Sequence, residues 1–270
     1  MNHKILFVDL DATLLSDDRT VSIRNREAIV QMLNEGHYIV LATGRPIESG
    51  RIVARRLGLT MPGCYMAAFN GAVIYDCSAD RTLMKRSIPI DVVQDLFERA
   101  QREGLYIHTY NNTDILTTCH TKELDYYISR THLSYKLSHN ILDALEEEPQ
   151  KVLLISMNDR GRLVQFQKKN LKWQKGRCNS FFSCREFLEY CPLDTSKETG
   201  VTELTKILGL PEDSTIAVGD EQNDIAMVTA AHLGIAMKNG IPELKKAADY
   251  VTKNDNNHDA IAEIIYKFIL

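Results

Sequence analysis

The sequence lacks any apolar run that is long enough to cross a membrane, and its cysteines form no motif. A spanning helix needs about 18 to 20 apolar residues. The apolar run before Asp9 covers only residues 5–8, which is also too short for a signal peptide. Six cysteines lie far apart with no C-x-x-C pair, which argues against a zinc ribbon and a disulfide scaffold. We therefore expect a cytoplasmic protein with reduced thiols.

The chain also lacks a basic block, which limits the kind of partner it can bind. Its 32 Lys and Arg and 36 Asp and Glu give a net charge of −4. This balance offers no electrostatic footprint for nucleic acid or for an anionic membrane surface. A content of 44% hydrophobic and 25% charged residues is ordinary for a globular protein and excludes a disordered chain. We expect a small-molecule partner.

The first 43 residues have the pattern of a parallel strand–helix–strand unit. Residues 4–9 are a short apolar run that ends in a carboxylate, which is typical of a strand buried on both faces. A helix is predicted from the N-cap Ser22 to about Glu35, and a second apolar strand covers residues 37–43. Four apolar residues are expected on one buried face of this helix: Ile23, Ile29, Val30 and Leu33.

The same pattern returns near the C-terminus, with predicted strands at 214–220 and 233–237, so the two ends are expected to form one sheet. The middle of the chain has a different, α+β texture. Its predicted elements are a helix at 91–103 and strands at 105–110, 113–118 and 151–157. Since 270 residues favour two domains, we predict an α/β core with a doubly wound parallel sheet and an inserted α+β domain. The predicted bounds are 1–81 and 190–270 for the core and 82–189 for the insertion.

Carboxylates collect where the predicted core strands end. Asp9 and Asp11 follow the first strand, Thr43 follows the second, and the C-terminal strand runs into Gly-Asp-Glu-Gln-Asn-Asp at 219–224. In an open parallel sheet, ligands bind beyond these strand ends. Carboxylates at this density repel each other, and a hard cation such as Mg²⁺ relieves the repulsion and binds phosphorylated substrates. Asp9 and Asp11 suit a covalent nucleophile and the acid that protonates the leaving group.

In this order the motifs resemble those of the haloacid dehalogenase superfamily of phosphatases. The matching segments are D-x-D-x-T at 9–13, Thr43, Lys197 in Asp-Thr-Ser-Lys-Glu, and G-D-x-x-N-D at 219–224. Further segments resemble its Cof-type branch, which includes YidA-like sugar phosphatases: 42–46, 69–72, 235–237 and 248–252. The resemblance covers nearly the whole chain and implies a Rossmann-like core with a C2-type cap inserted after the third core strand.

The resemblance implies a role for each matching residue. Asp9 is then the nucleophile and a Mg²⁺ ligand, Asp11 is the general acid/base and a ligand through its backbone carbonyl, and Asp220 is the third protein ligand. The transferring phosphoryl group is expected to contact Thr43, the backbone of Leu10 and Gly44, Lys197 and Asn223, with Asp224 supporting Lys197 or a metal-bound water. Asn70 is expected to line the substrate side. The chain departs from the family at Ala12 and Ala260, where glycine is usual.

These residues also have simpler interpretations. Asp-x-Asp, Thr43 and the Asn223–Asp224 pair all suit helix caps and turns. Spacing alone does not distinguish Lys197 from Lys206, Lys245 and Lys246, and only the family register selects it. The histidines of the insertion, His108, His120, His132 and His139, fit no zinc pattern.

The expected function is Mg²⁺-dependent hydrolysis of a small phosphorylated metabolite, with sugar phosphates as the expected class, by a monomer or weak homo-oligomer. Two alternatives stay open: a phosphotransferase or mutase on the same scaffold, and a binding regulator without turnover. A receiver domain also uses an aspartyl-phosphate, but it needs neither the central hundred or so residues nor the 219–224 motif.

Overall fold

The computed structural model describes residues 3–270 and divides into two compact units. The core unit contains the segment ending at Gly44, Gly50–Met84 and Ser196–Leu270. The inserted unit contains Arg45–Ser49 and Lys85–Thr195. The inserted unit thus begins three residues after the predicted limit of 82 and ends six residues after the predicted limit of 189, and it also includes the short segment 45–49.

Over residues 3–270, strands and helices are interspersed in both units. In chain order the strands are β1 Ile5–Asp9, β2 Tyr38–Ala42, β3 Cys64–Ala68, β4 Val73–Asp76, β5 Arg81–Lys85, β6 Tyr106–Tyr110, β7 Asp114–Thr117, β8 Ser134–Leu137, β9 Val152–Ile155, β10 Asn179–Cys184, β11 Phe187–Cys191, β12 Thr215–Gly219, β13 Leu233–Ala236 and β14 Tyr250–Val251. The helices are α1 Ile23–Asn34, α2 Ile47–Leu57, α3 Ile90–Arg102, α4 Lys122–Thr131, α5 Ile141–Ala144, α6 Arg160–Gln174, α7 Lys197–Ile207, α8 Ile225–Ala230, α9 Pro242–Ala247 and α10 Ala260–Phe268.

The core sheet has the strand order β14-β13-β12-β1-β2-β3-β4-β5. The six strands from β14 to β3 pair in parallel, and β4 turns back antiparallel to β3. Every residue of the central strands β1 and β12 is buried, as their continuous apolar sequences predict. The predicted α/β fold with a parallel sheet is confirmed.

Helix α1 begins as predicted, because the side chain of Ser22 accepts a hydrogen bond from the backbone N–H of Asn25. The predicted buried face is wrong at two positions: Ile23 is 76% exposed and Val30 is 45% exposed. Ile29 and Leu33 are buried, together with Ala28, Met32 and Asn25. At about 100° per residue, Ile23 and Val30 lie nearly opposite Asn25, on the side of the helix that faces solvent.

The sheet of the inserted unit has the order β10-β11-β9-β6-β7-β8. One face packs in an apolar cluster that includes Val92 and Leu96 of α3, Leu154 of β9 and Leu188 of β11. Buried polar side chains alternate with these residues along the strands, among them His108, Lys151 and Glu189. Within residues 3–270, no helix is long and apolar enough to span a bilayer.

Candidate active site

The predicted site residues lie at the carboxyl ends of three adjacent core strands. Asp9 is the last residue of β1 and pairs with Ala42 of β2, directly before Thr43. Asp220 follows β12, the other neighbour of β1. Because parallel strands present their carboxyl ends at one edge of the sheet, three separate chain segments meet there.

Lys197 links two of the carboxylates. Its Nζ lies 2.5 Å from Asp9 Oδ1 and 2.5 Å from Asp224 Oδ1, and all three residues are buried. Burial alone would lower the pKa of Lys197, but the carboxylates of Asp224 and Asp9 outweigh it and raise the pKa. Lys197 therefore stays a cation in the site.

Asp9 has more negative charge around it than one lysine neutralises. Burial raises its pKa well above the usual range, and Asp224 and Asp220 raise it further against the opposing effect of Lys197. Asp220 accepts a hydrogen bond of 2.9 Å from the Thr13 hydroxyl. Even so, burial and the nearby Asp224 raise the pKa of Asp220 to about 6.

Asp224 is held on both carboxylate oxygens. Oδ1 contacts Lys197, and Oδ2 accepts hydrogen bonds from the backbone N–H groups of Asp220 at 3.0 Å and Glu221 at 3.1 Å. Gly219 makes room for this arrangement, since a Cβ there would lie 2.4 Å from the Asp224 side chain. Asp224 thus positions Lys197 and shapes the turn after β12.

The carboxylates fit a divalent cation. One oxygen each of Asp9, Asp220 and Asp224 lies within 4.8 Å of the others. The donors are all hard oxygens, and burial together with the neighbouring carboxylates raises the pKa values of Asp9 and Asp220. Mg²⁺ suits such a set, because it prefers oxygen ligands and retains water. Among the described residues this carboxylate cluster does not include the exposed Asp11, whose predicted contribution is its backbone carbonyl.

The other predicted residues lie in the same unit. Thr43 is buried, and its carbonyl accepts a hydrogen bond of 3.0 Å from the backbone of Asn70, which is also buried. A Cβ on Gly44 would lie 3.0 Å from Asn70 Oδ1, so the glycine permits this close approach. Leu10 is buried and Asn223 is half-buried.

Comparison with known proteins identifies the family. A model of haloacid dehalogenase-like hydrolases matches residues 6–265. The chain belongs to this family. A putative phosphatase of Streptococcus pyogenes serotype M6 is 29% identical over 278 residues, which cover 100% of both chains. A 5-amino-6-(5-phospho-D-ribitylamino)uracil phosphatase of Bacillus subtilis is 24% identical, covering 98% of this chain and 97% of the relative.

A solved haloacid dehalogenase-like hydrolase from Bacteroides thetaiotaomicron has the same fold. It superposes with a TM-score of 0.91 at 29% identity and covers 98% of this chain and 99% of its own. The predicted family is confirmed, and the phosphatase names of the relatives agree with the predicted enzyme class.

Several contacts that build the site of this hydrolase were not predicted from the sequence, although the Asn70-Gly71 loop was expected to line the substrate side. Gly71, at φ 86°, leaves no room for a side chain, since a Cβ would lie 2.4 Å from the carbonyl oxygen of Ser196 just before α7. This contact fixes the start of the helix that carries Lys197. The sequence signal was the Asn-Gly pair at 70–71. No sequence signal marked Asn239 and Asn256, because isolated asparagines are common in turns. Their side chains donate hydrogen bonds to the carbonyl oxygens of Ala12 and Leu15 in the loop after β1.

Proposed function

We propose that this haloacid dehalogenase-like hydrolase cleaves small phosphate monoesters in a Mg²⁺-dependent reaction, with the phosphoryl group carried transiently on Asp9. The observation that carries the proposal is Lys197 Nζ, 2.5 Å from both Asp9 and Asp224, beside a cluster of oxygen ligands. A fixed cation next to a carboxylate nucleophile neutralises the phosphoryl oxygens as the nucleophile approaches.

The first half of the reaction uses Asp9 and Asp11. A carboxylate oxygen of Asp9 attacks phosphorus, the bond from phosphorus to the substrate oxygen breaks, and Asp11 gives its proton to the leaving alkoxide. In the second half Asp11 accepts a proton from water, whose oxygen bonds to phosphorus and releases Asp9 and inorganic phosphate. Asp9, Asp220 and the backbone carbonyl of Asp11 would hold Mg²⁺, which would supply further neutralisation of charge.

The remaining residues bind and orient the phosphoryl group in this proposal. Its oxygens accept hydrogen bonds from Thr43, Asn223, Lys197 and the backbone at Leu10 and Gly44. Asp224 acts on Lys197, because its second oxygen is occupied by backbone N–H groups. Asn70 lies against Gly44 and lines the substrate side.

Phosphorylated sugars and sugar alcohols are the proposed substrate class. The relative from Bacillus subtilis is named for a substrate whose phosphate is on a ribityl chain, which supports a polyhydroxylated leaving group. A cytoplasmic location, and a monomeric or weakly associated state, remain our expectations. A phosphotransferase differs only in the acceptor, so hydrolysis predicts inorganic phosphate, and transfer predicts a new phosphate ester.

The test is a panel of sugar phosphates, sugar alcohol phosphates and nucleotides, with phosphate release measured in Mg²⁺ and in excess EDTA. We expect release in Mg²⁺, loss in EDTA and recovery when Mg²⁺ is restored. Asp9→Asn removes the nucleophile but is nearly isosteric, so turnover is expected to disappear while the circular dichroism spectrum is unchanged. Asp18→Asn, an exposed carboxylate in the same unit, is the matched control. Full activity in EDTA, or more than a few per cent in Asp9→Asn, contradicts the proposal.

A further inference from the structure

The loop that follows Asp9 contains a residue in an unfavourable conformation. Ala12 has φ 58° and ψ 13°, in the left-handed region. For a residue with a Cβ this region is disfavoured by contact with the backbone, whereas glycine adopts it freely. An interaction that stabilises this conformation at Ala12 would offset that cost.

Asn239 makes such an interaction. Its Nδ2 donates a hydrogen bond of 2.8 Å to the carbonyl oxygen of Ala12. Its Oδ1 accepts a hydrogen bond of 3.2 Å from the backbone N–H of Asn256. The backbone N–H of Asn256 thus orients the Asn239 amide, and this amide holds the carbonyl of Ala12.

Asn256 holds the far end of the same loop. It is buried, and its Nδ2 donates to the carbonyl oxygen of Leu15 at 3.2 Å and to Asp17 Oδ1 at 3.0 Å. Asn239 and Asn256, which we call the asparagine clamp, therefore contact the loop at Ala12, Leu15 and Asp17.

The clamp is anchored on the segment that carries Asp220. The backbone N–H of Ile241 donates a hydrogen bond of 2.9 Å to the Asp220 carbonyl, and Met237 N–H donates one of 2.9 Å to the Gly219 carbonyl. Gly240 lies so close that a Cβ there would be 3.1 Å from the Asp220 carbonyl oxygen. The clamp thus joins the loop of Asp9 and Asp11 to the turn of Asp220.

We propose that the asparagine clamp is a positioning device for the reaction. It favours the left-handed conformation of Ala12 and thereby sets the orientation of Asp11, which precedes it. This inference rests on the proposed function, in which Asp11 protonates the leaving group. Neither asparagine is assigned to substrate or metal, so both act through the loop, at the carbonyls of Ala12 and Leu15 and at the Asp17 side chain.

Asn239→Ala removes the contact to Ala12 at an exposed position. With Asp11 misplaced, kcat for an alkyl phosphate is expected to fall about five- to tenfold, the equivalent of one hydrogen bond. The initial burst of p-nitrophenol from p-nitrophenyl phosphate reports only the first half of the reaction, in which this leaving group needs no proton, and should slow less than about twofold. Asn34→Ala, also exposed and in the core unit, is the matched control and should leave both rates unchanged. Equal losses on the two esters, or no loss on either, overturn the proposal.

Rescue by glycine separates positioning from general structural damage. In an Ala12→Gly background the left-handed conformation needs less support, so adding Asn239→Ala should reduce the alkyl phosphate kcat by less than about twofold. The same five- to tenfold loss in both backgrounds refutes the proposal.

A second measurement does not depend on turnover. Amide hydrogen exchange of residues 10–17, which include the hydrogen bond of 2.9 Å from Leu15 N–H to the Leu10 carbonyl, is expected to be faster in Asn239→Ala than in Asn34→Ala. An unchanged exchange rate for residues 10–17 overturns the proposal that the clamp holds this loop, even if the wild type releases no phosphate. A wild type that releases none, with faster exchange in Asn239→Ala, refutes the proposed function and supports the clamp as a determinant of loop conformation.

Discussion

Two alanines that replace the usual glycines have different consequences at the level of single residues. Ala12 is in the left-handed region at φ 58°, the region that glycine adopts freely. Ala260 is the first residue of α10, and the left-handed residue there is the preceding Asp259, at φ 61°. Only Ala12 therefore places its own Cβ in an unfavourable conformation, at a cost of about 1 kcal/mol.

His108 is a buried histidine whose ionisation is linked to stability. Its Nδ1 lies 3.1 Å from the Tyr106 hydroxyl and its Nε2 lies 2.8 Å from the Tyr110 hydroxyl. Burial, with a smaller effect from Lys151, lowers its pKa well below the usual value. The folded protein therefore holds His108 neutral, in a network of hydroxyl groups.

We predict that His108 destabilises the protein in acid. As the pH falls below about 6.5, the imidazole of His108 binds a proton in the unfolded chain but stays neutral in the folded chain. The free energy of unfolding therefore declines by up to about 1.4 kcal/mol per pH unit. His108→Gln removes the group that binds this proton. The free energy of unfolding should therefore decline less between pH values of about 7.5 and 5. The measurement is denaturant unfolding followed by the fluorescence of Trp173, the single tryptophan, which lies in the inserted unit.

The control is His139→Gln, because His139 is exposed in the same unit. It should leave the pH dependence close to that of the wild type. Equal slopes for the wild type and His108→Gln would show that His108 is not the group responsible.

At the level of elements, helix α1 shows why the predicted buried face differed from the observed one. Ile29 and Leu33 are shared by two possible buried faces of this helix. The hydrophobic pattern favoured the face that also contains Ile23 and Val30. The structure buries Asn25 instead, and its Oδ1 accepts a hydrogen bond of 2.8 Å from the backbone N–H of Ala262. That N–H lies in the first turn of α10, where it has no partner within its own helix. A polar contact between two helices thus decided the packing, and hydrophobic periodicity does not reveal such contacts.

Replacing Asn25 should therefore destabilise the core unit more than replacing the apolar Ile23. We expect Asn25→Ala to lower the free energy of unfolding by about 1 to 3 kcal/mol, because it leaves a buried N–H unpaired. Ile23→Ala should change it by less than about 0.5 kcal/mol, because Ile23 is 76% exposed. Chemical denaturation followed by circular dichroism compares the two. A larger effect of Ile23→Ala would favour the face predicted from the sequence.

For the whole molecule, the sequence predicted what depends on local pattern. Apolar runs that end in polar residues located β1, β2, β12 and β13, and the order of the motifs indicated which strand ends meet. The sequence did not predict that β4 and β5 extend the core sheet, because the exposed, mixed sequence of β5 has no clear alternation. It also did not predict the exposed edge strand β8. The asparagine clamp was missed for a related reason, since its contacts join residues more than 200 positions apart.

The reacting groups of the proposed mechanism all belong to the core unit. Asp9, Asp11, Thr43, Lys197 and Asp220 lie in its segments. The inserted unit instead contains a buried polar set in which Lys151 lies 3.4 Å from Glu189, and the Tyr110 hydroxyl donates to the Tyr127 hydroxyl at 2.6 Å. Buried polar networks of this kind give a unit one well-defined arrangement. We infer that the inserted unit selects substrates and that the core unit performs the transfer.

The last prediction tests this division with Tyr110→Phe, which keeps the ring and removes the hydroxyl between His108 and Tyr127. Removing it should change the order of kcat/KM values across sugar phosphates, because the orientations of the neighbouring polar groups shift. Turnover of p-nitrophenyl phosphate, a small ester that needs few selective contacts, should stay within about twofold of the wild type. Tyr135→Phe, at an exposed tyrosine of the same unit, is the control and should preserve the order. If Tyr110→Phe is well folded and loses both activities in parallel, the inserted unit takes part in the chemistry itself, and the assignment of catalysis to the core unit alone is wrong.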